Sequence, residues 1–446
     1  MYNQIVSVNI SLDTAAVSSQ GFGTALWVTN EAWFPETIRA YQSVEQAALD
    51  LPTDSAAYLG VVAAFRQPIK PTQVKVAKSG FDSVTFTVGD IVVGQTVALT
   101  VTTDSDVTAN ASFTLTDGET KAEVAEAIVA DLGDVEGISI TDNEDGSFTL
   151  TKEGEESFYF SDIANLAYEF SSGNSAEDIL TEIQTEDDDW YFIGCSDHSD
   201  AFVMSMANAI ESREKLYFVT LAAPANLGAY SETAMDTLSK LRQEGYERTV
   251  AWYHDQANET YPEMEYIATL AGYDAGKKVI ANSTVSHRAA RDISTGKPLS
   301  VTQKNNLTDK NASFTETVGG VTITRYGTVS NGKWADEVRD RDFMVARTRE
   351  ALQNFLINKP KVPYTDDGIN EVRGVLSSTY SRYVSAPSQP NVLQPNRPFE
   401  ISLPRRQDVS FADITSRTLN GQVTLYLSGA ILEINIIGSA TIEAQS

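Results

Sequence analysis

The chain has 446 residues, of which 42% are hydrophobic and 21% are charged, and its formal net charge is −28. This length exceeds one ordinary core and predicts about two to four domains, and the composition excludes a disordered or fibrous protein. The single cysteine, Cys195, excludes an internal disulfide, which suits a protein folded in a reducing cytoplasm. The N-terminus has no basic region followed by an apolar one, so we expect no signal peptide. No stretch reaches the ~20 continuous apolar residues of a membrane span, so we expect no membrane-spanning helix.

The negative charge is concentrated in one part of the chain. From Asp82 to Asp189 there are 26 acidic residues and two basic ones, which give this stretch a charge of −24, while the remainder carries only −4. Such a break in the charge pattern indicates a separate module. Its negative potential argues against nucleic-acid binding.

The first 79 residues alternate between predicted strands and helices. The first strand has apolar residues at every second position, the period of a half-buried strand. These residues are Val6, Val8, Ile10 and Leu12. Further strands are predicted at 24–28 and 73–77. Helices are predicted from Ser43, where Gln46 completes a capping box, and over 55–66.

The acidic stretch has the pattern of a small α+β domain. Short strands are predicted between 81 and 116, a helix over 120–131, and a hairpin over 138–151 with an Asp145-Gly146 turn. Because the patterns before and after this stretch differ from it, we predict that residues 80–173 form a domain inserted into a larger one.

Beyond Trp190 the pattern changes to alternating strands and helices. Strands are predicted at 190–194, 216–221, 248–253 and 278–281, and helices at 200–214, 231–244 and 262–272. Repeated βα units predict a mixed, mostly parallel sheet with flanking helices. A long amphipathic helix from Trp334 and a second helix capped by Thr365 belong to the same α/β core, and an apolar strand closes the chain after Gly421.

Motifs for chemistry are weak in this sequence. The Gly296-Lys297 pair lacks the first glycine and the Ser/Thr of a phosphate loop, and the run 186–189 is better explained as a solvated acidic loop than as a cation site. Cys195, His198 and His254 follow predicted strands, where α/β sheets place active sites. The more economical reading is that Cys195 is a small buried apolar group. We therefore predict no catalytic, cofactor-binding or metal residues.

Both chain ends carry alternating apolar residues. At the C-terminal end these are Leu432, Ile434 and Ile436, which mirror the alternation between Val6 and Leu12. Such strands complete the protein's own sheet in most proteins, but they also add to the sheet of a neighbouring molecule in some assemblies. Sequence pattern alone leaves both readings open.

Several stretches of the α/β half, in order and spacing, resemble contractile bacteriophage tail sheath proteins. The stretches are Gly245–His254, Lys297–Leu307, Asn311–Phe314 with Gly319-Gly320 and Tyr326-Gly327, Asp336–Phe355 leading into Lys359–Asp366, and Leu427–Ile431. The resemblance covers most of the chain from Trp190 onward together with the first ~75 residues. The acidic stretch lies outside it.

The resemblance implies an architecture. It implies an α/β core of residues 21–79 and 174–420, an outward-facing inserted domain of residues 80–173, and terminal strand arms of residues 1–20 and 421–446. In this family the arms form strands with neighbouring subunits, which favours the exchange reading of Val6–Leu12 and Leu432–Ile436. A C-terminal helix touches the tail tube, and by resemblance we assign that role to the polar face carrying Arg339, Asp342 and Arg349.

The resemblance also implies a function. Hexameric rings of the protein would stack in a helical lattice around a tail tube. Baseplate and tail terminator proteins would be further partners, and the protein would bind neither nucleic acid nor a membrane. The lattice would contract to drive the tube through the host envelope. The protein would assemble in the host bacterial cytoplasm and reside in the virion tail. The alternatives are an α/β small-molecule-binding protein or enzyme, and a static tube or baseplate component.

Overall fold

A computed structural model describes residues 20–154, 157–171, 174–386 and 388–436. The strands in these ranges are β1 (Ala25–Thr29), β2 (Ile38–Tyr41), β3 (Val74–Lys78), β4 (Ser83–Val88), β5 (Thr96–Thr103), β6 (Thr108–Thr114), β7 (Ile138–Asp142), β8 (Ser147–Lys152), β9 (Phe158–Ala164), β10 (Leu166–Phe170), β11 (Phe192–Cys195), β12 (Leu216–Leu221), β13 (Thr249–Tyr253), β14 (Phe314–Val318), β15 (Val321–Arg325), β16 (Phe399–Ser402) and β17 (Gln422–Leu425). The α-helices are α1 (Val44–Asp50), α2 (Ala56–Ala64), α3 (Lys121–Leu132), α4 (Ala176–Glu186), α5 (Asp200–Ile210), α6 (Thr237–Glu244), α7 (Ala257–Thr260), α8 (Pro262–Ala271), α9 (Val301–Asp309), α10 (Ala335–Asn358), α11 (Asp366–Ser381) and α12 (Phe411–Ser416). This mixture of helices and several sheets confirms the predicted α/β class.

The chain divides into two compact units. The larger unit comprises Gly21–Asp274 and Lys278–Val338. In the smaller unit, the described residues are Gln20, Ala275–Lys277 and 339–436. None of the helices in the described ranges is long and apolar enough to cross a membrane.

The larger unit is built on a six-stranded sheet with the order β13-β12-β11-β1-β3-β2. Every neighbouring pair is parallel except β2 with β3. Every residue of β1, β12 and β13 is buried, as expected for parallel strands covered on both faces. Side chains alternate between faces: Leu26 and Val28 pack with residues of α4, α5 and α6, whereas Trp27 lies against α2.

The strands from β4 to β10 pair only with one another in the described chain. They form an antiparallel four-stranded sheet (β10-β4-β8-β7) and a three-stranded sheet (β6-β5-β9). Helix α3 begins at a complete capping box of Thr120 and Glu123. The predicted Asp-Gly hairpin is present, since β7 pairs with β8 around Gly146. The boundaries of an inserted domain at 80 and 173 stay a prediction.

An aromatic cluster joins these strands to the loop after β1. The ring of Trp33 packs edge-to-face on Tyr168 and Phe170, with ring centroids 4.8 and 5.5 Å away. The Trp33 indole N–H donates to the Glu31 carboxylate, which also accepts from the backbone N–H groups of Ala56 and Ala57 at the start of α2. The cluster therefore connects the acidic strands to α2 through three hydrogen bonds on one carboxylate.

The smaller unit has its own core. Met344, Leu376, Tyr380, Val392 and Leu393 form a buried cluster, which packs α10, α11 and the segment before β16 together. Strands β16 and β17 form a two-stranded antiparallel sheet. Apolar side chains of both strands lie against the same cluster.

Two stretches predicted as strands form no strand among the described residues. Residues 278–281 are irregular and form no strand, so that prediction is wrong. Of the closing strands expected within Gly421–Ala444, β17 is present at Gln422–Leu425, residues 428–436 form no strand, and residues 437–444 lie outside the described chain. Local alternation predicts the pairing surface of a strand and does not supply a partner for it.

Candidate assembly surfaces

Backbone bonds hold the chain after β17 to the smaller unit at Tyr426 and Ser428. The Tyr426 N–H donates to the Pro398 carbonyl at 3.0 Å, and the Tyr426 carbonyl accepts from Gln394 N–H at 3.0 Å. The last of these backbone bonds runs from Ser428 N–H to the Val392 carbonyl at 2.8 Å. Gly429 follows with φ +58°, a left-handed conformation that glycine adopts without strain. The chain thus continues past Ser428 through a left-handed glycine before the apolar side chains within residues 431–436.

This segment exposes three isoleucines. Ile431, Ile434 and Ile436 are 85%, 77% and 87% exposed, and Leu432 is half-buried. Burying one such side chain stabilises a contact by about 1.5–3 kcal/mol, so three exposed in six residues form an apolar surface that a partner could cover. The residues predicted for strand exchange at this end thus lie together on an exposed segment, named here the C-terminal segment (residues 430–436).

The N-terminal strand predicted at Val6, Val8, Ile10 and Leu12 lies outside the described residues. The described chain begins at Gln20, which is held by the long helix α10. The Gln20 N–H donates to Glu350 Oε1 at 2.8 Å, and Arg347 Nη2 donates to the Gln20 carbonyl at 2.7 Å. The point from which the N-terminal residues start is therefore fixed within the smaller unit.

The predicted polar face of α10 is only partly exposed. Arg339 and Asp342 are buried, with exposures of 1% and 3%, whereas Arg349 is exposed. Two of the three residues assigned to the tube-facing surface are therefore buried in this structure, and the tube contact of this helix stays a prediction. Positions 335, 338, 339, 342 and 346 are all buried and follow the helical period. The buried stripe of this helix thus contains two charged residues, Arg339 and Asp342, which a hydrophobicity pattern assigns to the surface.

The residues considered for chemistry lie in a buried polar region at the carboxyl ends of β11 and β13. Cys195 is fully buried, and burial raises the pKa of its thiol well above the usual value, so the reactive thiolate is disfavoured. The Nε2 of His198 lies 2.8 Å from Glu263 Oε1, and its Nδ1 lies 2.7 Å from Asn258 Oδ1. Both ring nitrogens therefore bond to residues other than Cys195. Within the described ranges, no three His, Cys, Asp or Glu side chains are arranged to hold a metal ion.

Sequence reasoning missed several members of this polar region. Glu263 and Glu265, on α8, are completely buried, and His287 approaches Glu265 at 2.7 Å. No spacing rule would have found them, because residues 254, 265 and 287 are brought together by the turn after β13 and by an irregular segment that has no hydrophobic period.

No protein-family model and no curated protein matches this sequence. Solved structures do match it. A chain in the contracted helical sheath of the anti-feeding prophage is 11% identical, with a TM-score of 0.52 over 99% of this chain and 100% of that one. A chain in the six-fold symmetrised baseplate of the same particle is 10% identical, with a TM-score of 0.55 over 98% and 100%. A chain in the contracted PVC sheath complex, an extracellular contractile injection system, is 9% identical, with a TM-score of 0.50 over 99% and 98%.

The chain has the fold of contractile-sheath structures. The likeness spans nearly all of each chain, so it includes both units and is not limited to a common α/β sheet. At these identities it is a likeness of fold, and the fold agrees with the resemblance that the sequence stretches indicated.

Proposed function

We propose that this chain is a subunit of a contractile tail sheath, a structural protein that polymerises and performs no catalysis. The observation that supports the proposal most directly is the match, over 99% of the chain, to a chain of a contracted helical sheath. A sheath uses its surfaces for packing against copies of itself. The buried state of Cys195, and the use of His198 in a pair with Glu263, agree with a protein whose polar groups serve structure.

The subunits are proposed to be joined by exchanged strands. The C-terminal segment of one copy, with Leu432, Ile434 and Ile436, would add to the sheet of a neighbour, and the N-terminal residues Val6–Leu12 would do the same. The two-stranded β16–β17 sheet is proposed as the acceptor, because both of its strands are edge strands, and edge strands can pair with a strand of another chain. Main-chain hydrogen bonds give such an addition its strength without requiring a particular side chain.

The proposed assembly consists of hexameric rings stacked around a tail tube, with a baseplate at one end and a terminator protein at the other. Triggering would convert an extended, kinetically trapped lattice into a shorter and more stable one, which would drive the tube into the host. The strongly acidic stretch of residues 82–189 is proposed to face outward, where like charge keeps particles apart. The finished particle is proposed to be a virion tail assembled in the bacterial cytoplasm.

The tube contact is proposed to involve Arg349 alone among the three residues assigned from the sequence. Arg349 is exposed on α10, whereas Arg339 and Asp342 are buried and cannot reach a partner without rearrangement. An exposed arginine suits an acidic patch on a tube because its guanidinium forms bidentate bonds with carboxylates.

The experiment that tests the proposal is negative-stain electron microscopy of the purified protein, with and without the tail tube, for three proteins. The wild type is expected to form striated hollow tubes. The double variant Ile434→Ser/Ile436→Ser is expected to stay folded and to lose the tubes, because two apolar contacts worth about 1.5–3 kcal/mol each are removed at every junction.

The matched control is Val92→Ser/Val93→Ser, which removes exposed apolar groups (47% and 63% exposed) from the acidic stretch and is expected to assemble normally. Tubes from the Ile434/Ile436 variant that equal wild-type tubes in number and length would refute the role of the C-terminal segment. A wild type that forms only small particles, even on added tubes, would refute the sheath proposal itself.

A further inference from the structure

An irregular segment of the larger unit is held in place partly by ionisable side chains. This segment, residues 286–293, is named here the strap. It contains neither helix nor regular strand and lies over the end of β13 and the side of α8. Other groups hold it as well. The Ala290 N–H donates to the backbone and hydroxyl oxygens of Thr315, and the Tyr253 hydroxyl donates to the Arg291 carbonyl at 3.0 Å and accepts from the Ile293 N–H at 3.2 Å. The Gln303 amide donates to the Asp292 carboxylate at 2.9 Å, and the Tyr266 hydroxyl lies 3.0 Å from His287 Nε2.

His254 makes the central contact to the strap. It follows β13, is 0% exposed, and its Nε2 lies 3.0 Å from the Arg288 carbonyl. Because a carbonyl only accepts, Nε2 carries a proton and donates it. Its Nδ1 lies 3.0 Å from the Gln256 N–H, which only donates. The ring is therefore neutral, and a second proton on Nδ1 would replace a hydrogen bond with a clash between two donors.

The charged groups around His254 come from three elements. From the strap, the His287 ring lies edge-to-face at 4.9 Å, and the Arg288 guanidinium lies nearby. From its own element, Asp255 Oδ1 lies 3.8 Å from Nδ1. From α8, Glu265 acts through His287. Burial lowers the pKa of His254, the neighbouring His287 lowers it further, and the result is about 4.

Two carboxylates hold the strap on either side of His254. Asp255 forms an ion pair with the Arg288 guanidinium and accepts from the Arg291 N–H at 2.8 Å. Glu265 is bonded to His287 Nδ1 at 2.7 Å and accepts from the Ser286 N–H. Burial raises the pKa of Asp255 and of Glu265, but the bonds from Arg288 and from His287 lower them more, so both carboxyls have pKa values below normal. Each of these bonds weakens when its carboxylate is protonated.

We propose that residues 286–293 form an acid-released strap, in which protonation of His254, supported by Asp255 and Glu265, frees the segment from β13 and α8 while the six-stranded sheet stays folded. The inference rests on contacts inside the larger unit and does not depend on the proposed function. It provides the subunit with a conformational change that a fall in pH starts locally.

The size of the effect follows from proton linkage. In the closed strap burial and the neighbouring His287 lower the pKa of His254 to about 4, and for the released strap, in which water reaches the ring, we take the ordinary value of about 6.5. A depressed pKa in the closed state means that the open state binds the extra proton, so the strap opens more as the pH falls from 6.5 toward 4. Between pH 8 and pH 5 the opening equilibrium should rise about 30-fold from His254 alone. The lowered carboxyl pKa values act in the same direction.

The test is amide hydrogen exchange of the full chain at pH 8 and pH 5, expressed as protection factors so that the intrinsic pH dependence of exchange is removed. Peptides covering 284–298 are expected to lose protection by at least about 30-fold at pH 5. Peptides covering β12 are expected to keep their protection. The variant His254→Gln, whose amide can still donate to the Arg288 carbonyl but does not ionise, should lose about 30-fold of the pH dependence.

Two matched measurements keep the test decisive. His198→Asn changes another histidine, whose hydrogen bonds go to Glu263 and Asn258, and it should leave the pH dependence of 284–298 as in the wild type. Equal protection of the strap at the two pH values in the wild type would overturn the proposal, whether or not His254→Gln folds. Full pH dependence in a folded His254→Gln protein would overturn the assignment to His254.

Discussion

Gly60 on α2 provides a sharp test of how the larger unit is packed. A Cβ at this position would lie 2.4 Å from both Cε2 and Nε1 of Trp27, a side chain that is 0% exposed and that donates its indole N–H to the Ala56 carbonyl at 2.9 Å. In an open helix, glycine to alanine stabilises by about 1 kcal/mol. Here the added methyl group would overpack the core, which costs about 1–3 kcal/mol.

Moving the indole ring away from the methyl group would also leave its buried N–H without a partner, which costs about 1–3 kcal/mol. The packing and hydrogen-bond losses exceed the helix gain, so we expect Gly60→Ala to lower the free energy of unfolding by about 1–5 kcal/mol. The control is Gly374→Ala on α11, where no atom lies within 4 Å of the added Cβ. That variant is expected to stabilise by about 0.5–1 kcal/mol.

The assay is urea unfolding with two probes. All five tryptophans lie between residues 27 and 334, within the larger unit, so tryptophan fluorescence reports the unfolding that Gly60→Ala should weaken. Far-UV circular dichroism reports both units and is used for Gly374→Ala. A Gly60→Ala protein as stable as the wild type, or more stable, would refute the reasoning, because it would mean that α2 moves off β1 at little cost.

Two further predictions concern single charged groups. Burial lowers the pKa of His198, but the Glu263 carboxylate raises it more, so the folded-state pKa lies above 6.5. The protonated His198 therefore stabilises the folded protein fully below pH 6.5, and this stabilisation is lost as the pH rises through the folded-state pKa. The Tm difference between the wild type and His198→Asn should therefore shrink from pH 6 to pH 9, and a constant difference would contradict the pairing. Arg349→Glu should reduce the amount of protein that pellets with purified tail tubes. The control Arg382→Glu, which changes another exposed arginine of the same unit, should pellet as the wild type does. Equal pelleting of the two variants would contradict a role for Arg349 in the tube contact.

Periodic and capping signals predicted much of the local structure. Ser43 and Thr365 do cap their helices, accepting from Gln46 N–H at 3.2 Å and Gly368 N–H at 3.3 Å. The predicted capping box at Ser43 is incomplete, since the Gln46 side chain accepts from the Gln42 N–H instead. These features depend on neighbours within about four residues, which is the range over which a sequence specifies hydrogen bonds directly.

The misses have a different physical origin. Arg339 is among the largest fully buried side chains, although charged residues are almost never buried unless they are paired. The strap contacts join His254 to residues more than 30 positions away. Such polar contacts depend on which residues the fold brings together, and neither hydrophobic periodicity nor local propensity predicts that. The C-terminal segment has the alternation of a strand but forms none among the described residues, because a strand also needs a partner, and its exchange with a neighbouring copy stays a prediction.

The fold likeness extends over nearly the whole chain at identities near 10%, and the physical demands of the fold account for this. A central sheet of fully buried strands requires apolar residues of suitable volume, and many sequences meet that requirement. Addition of a strand to an edge such as β17 requires backbone N–H and C=O groups, which every non-proline residue carries. A catalytic site would fix particular side chains at particular positions, whereas packing and main-chain pairing fix only a pattern. A sheath subunit can therefore change most of its residues while keeping its fold and the exposed ends through which it is proposed to join its neighbours.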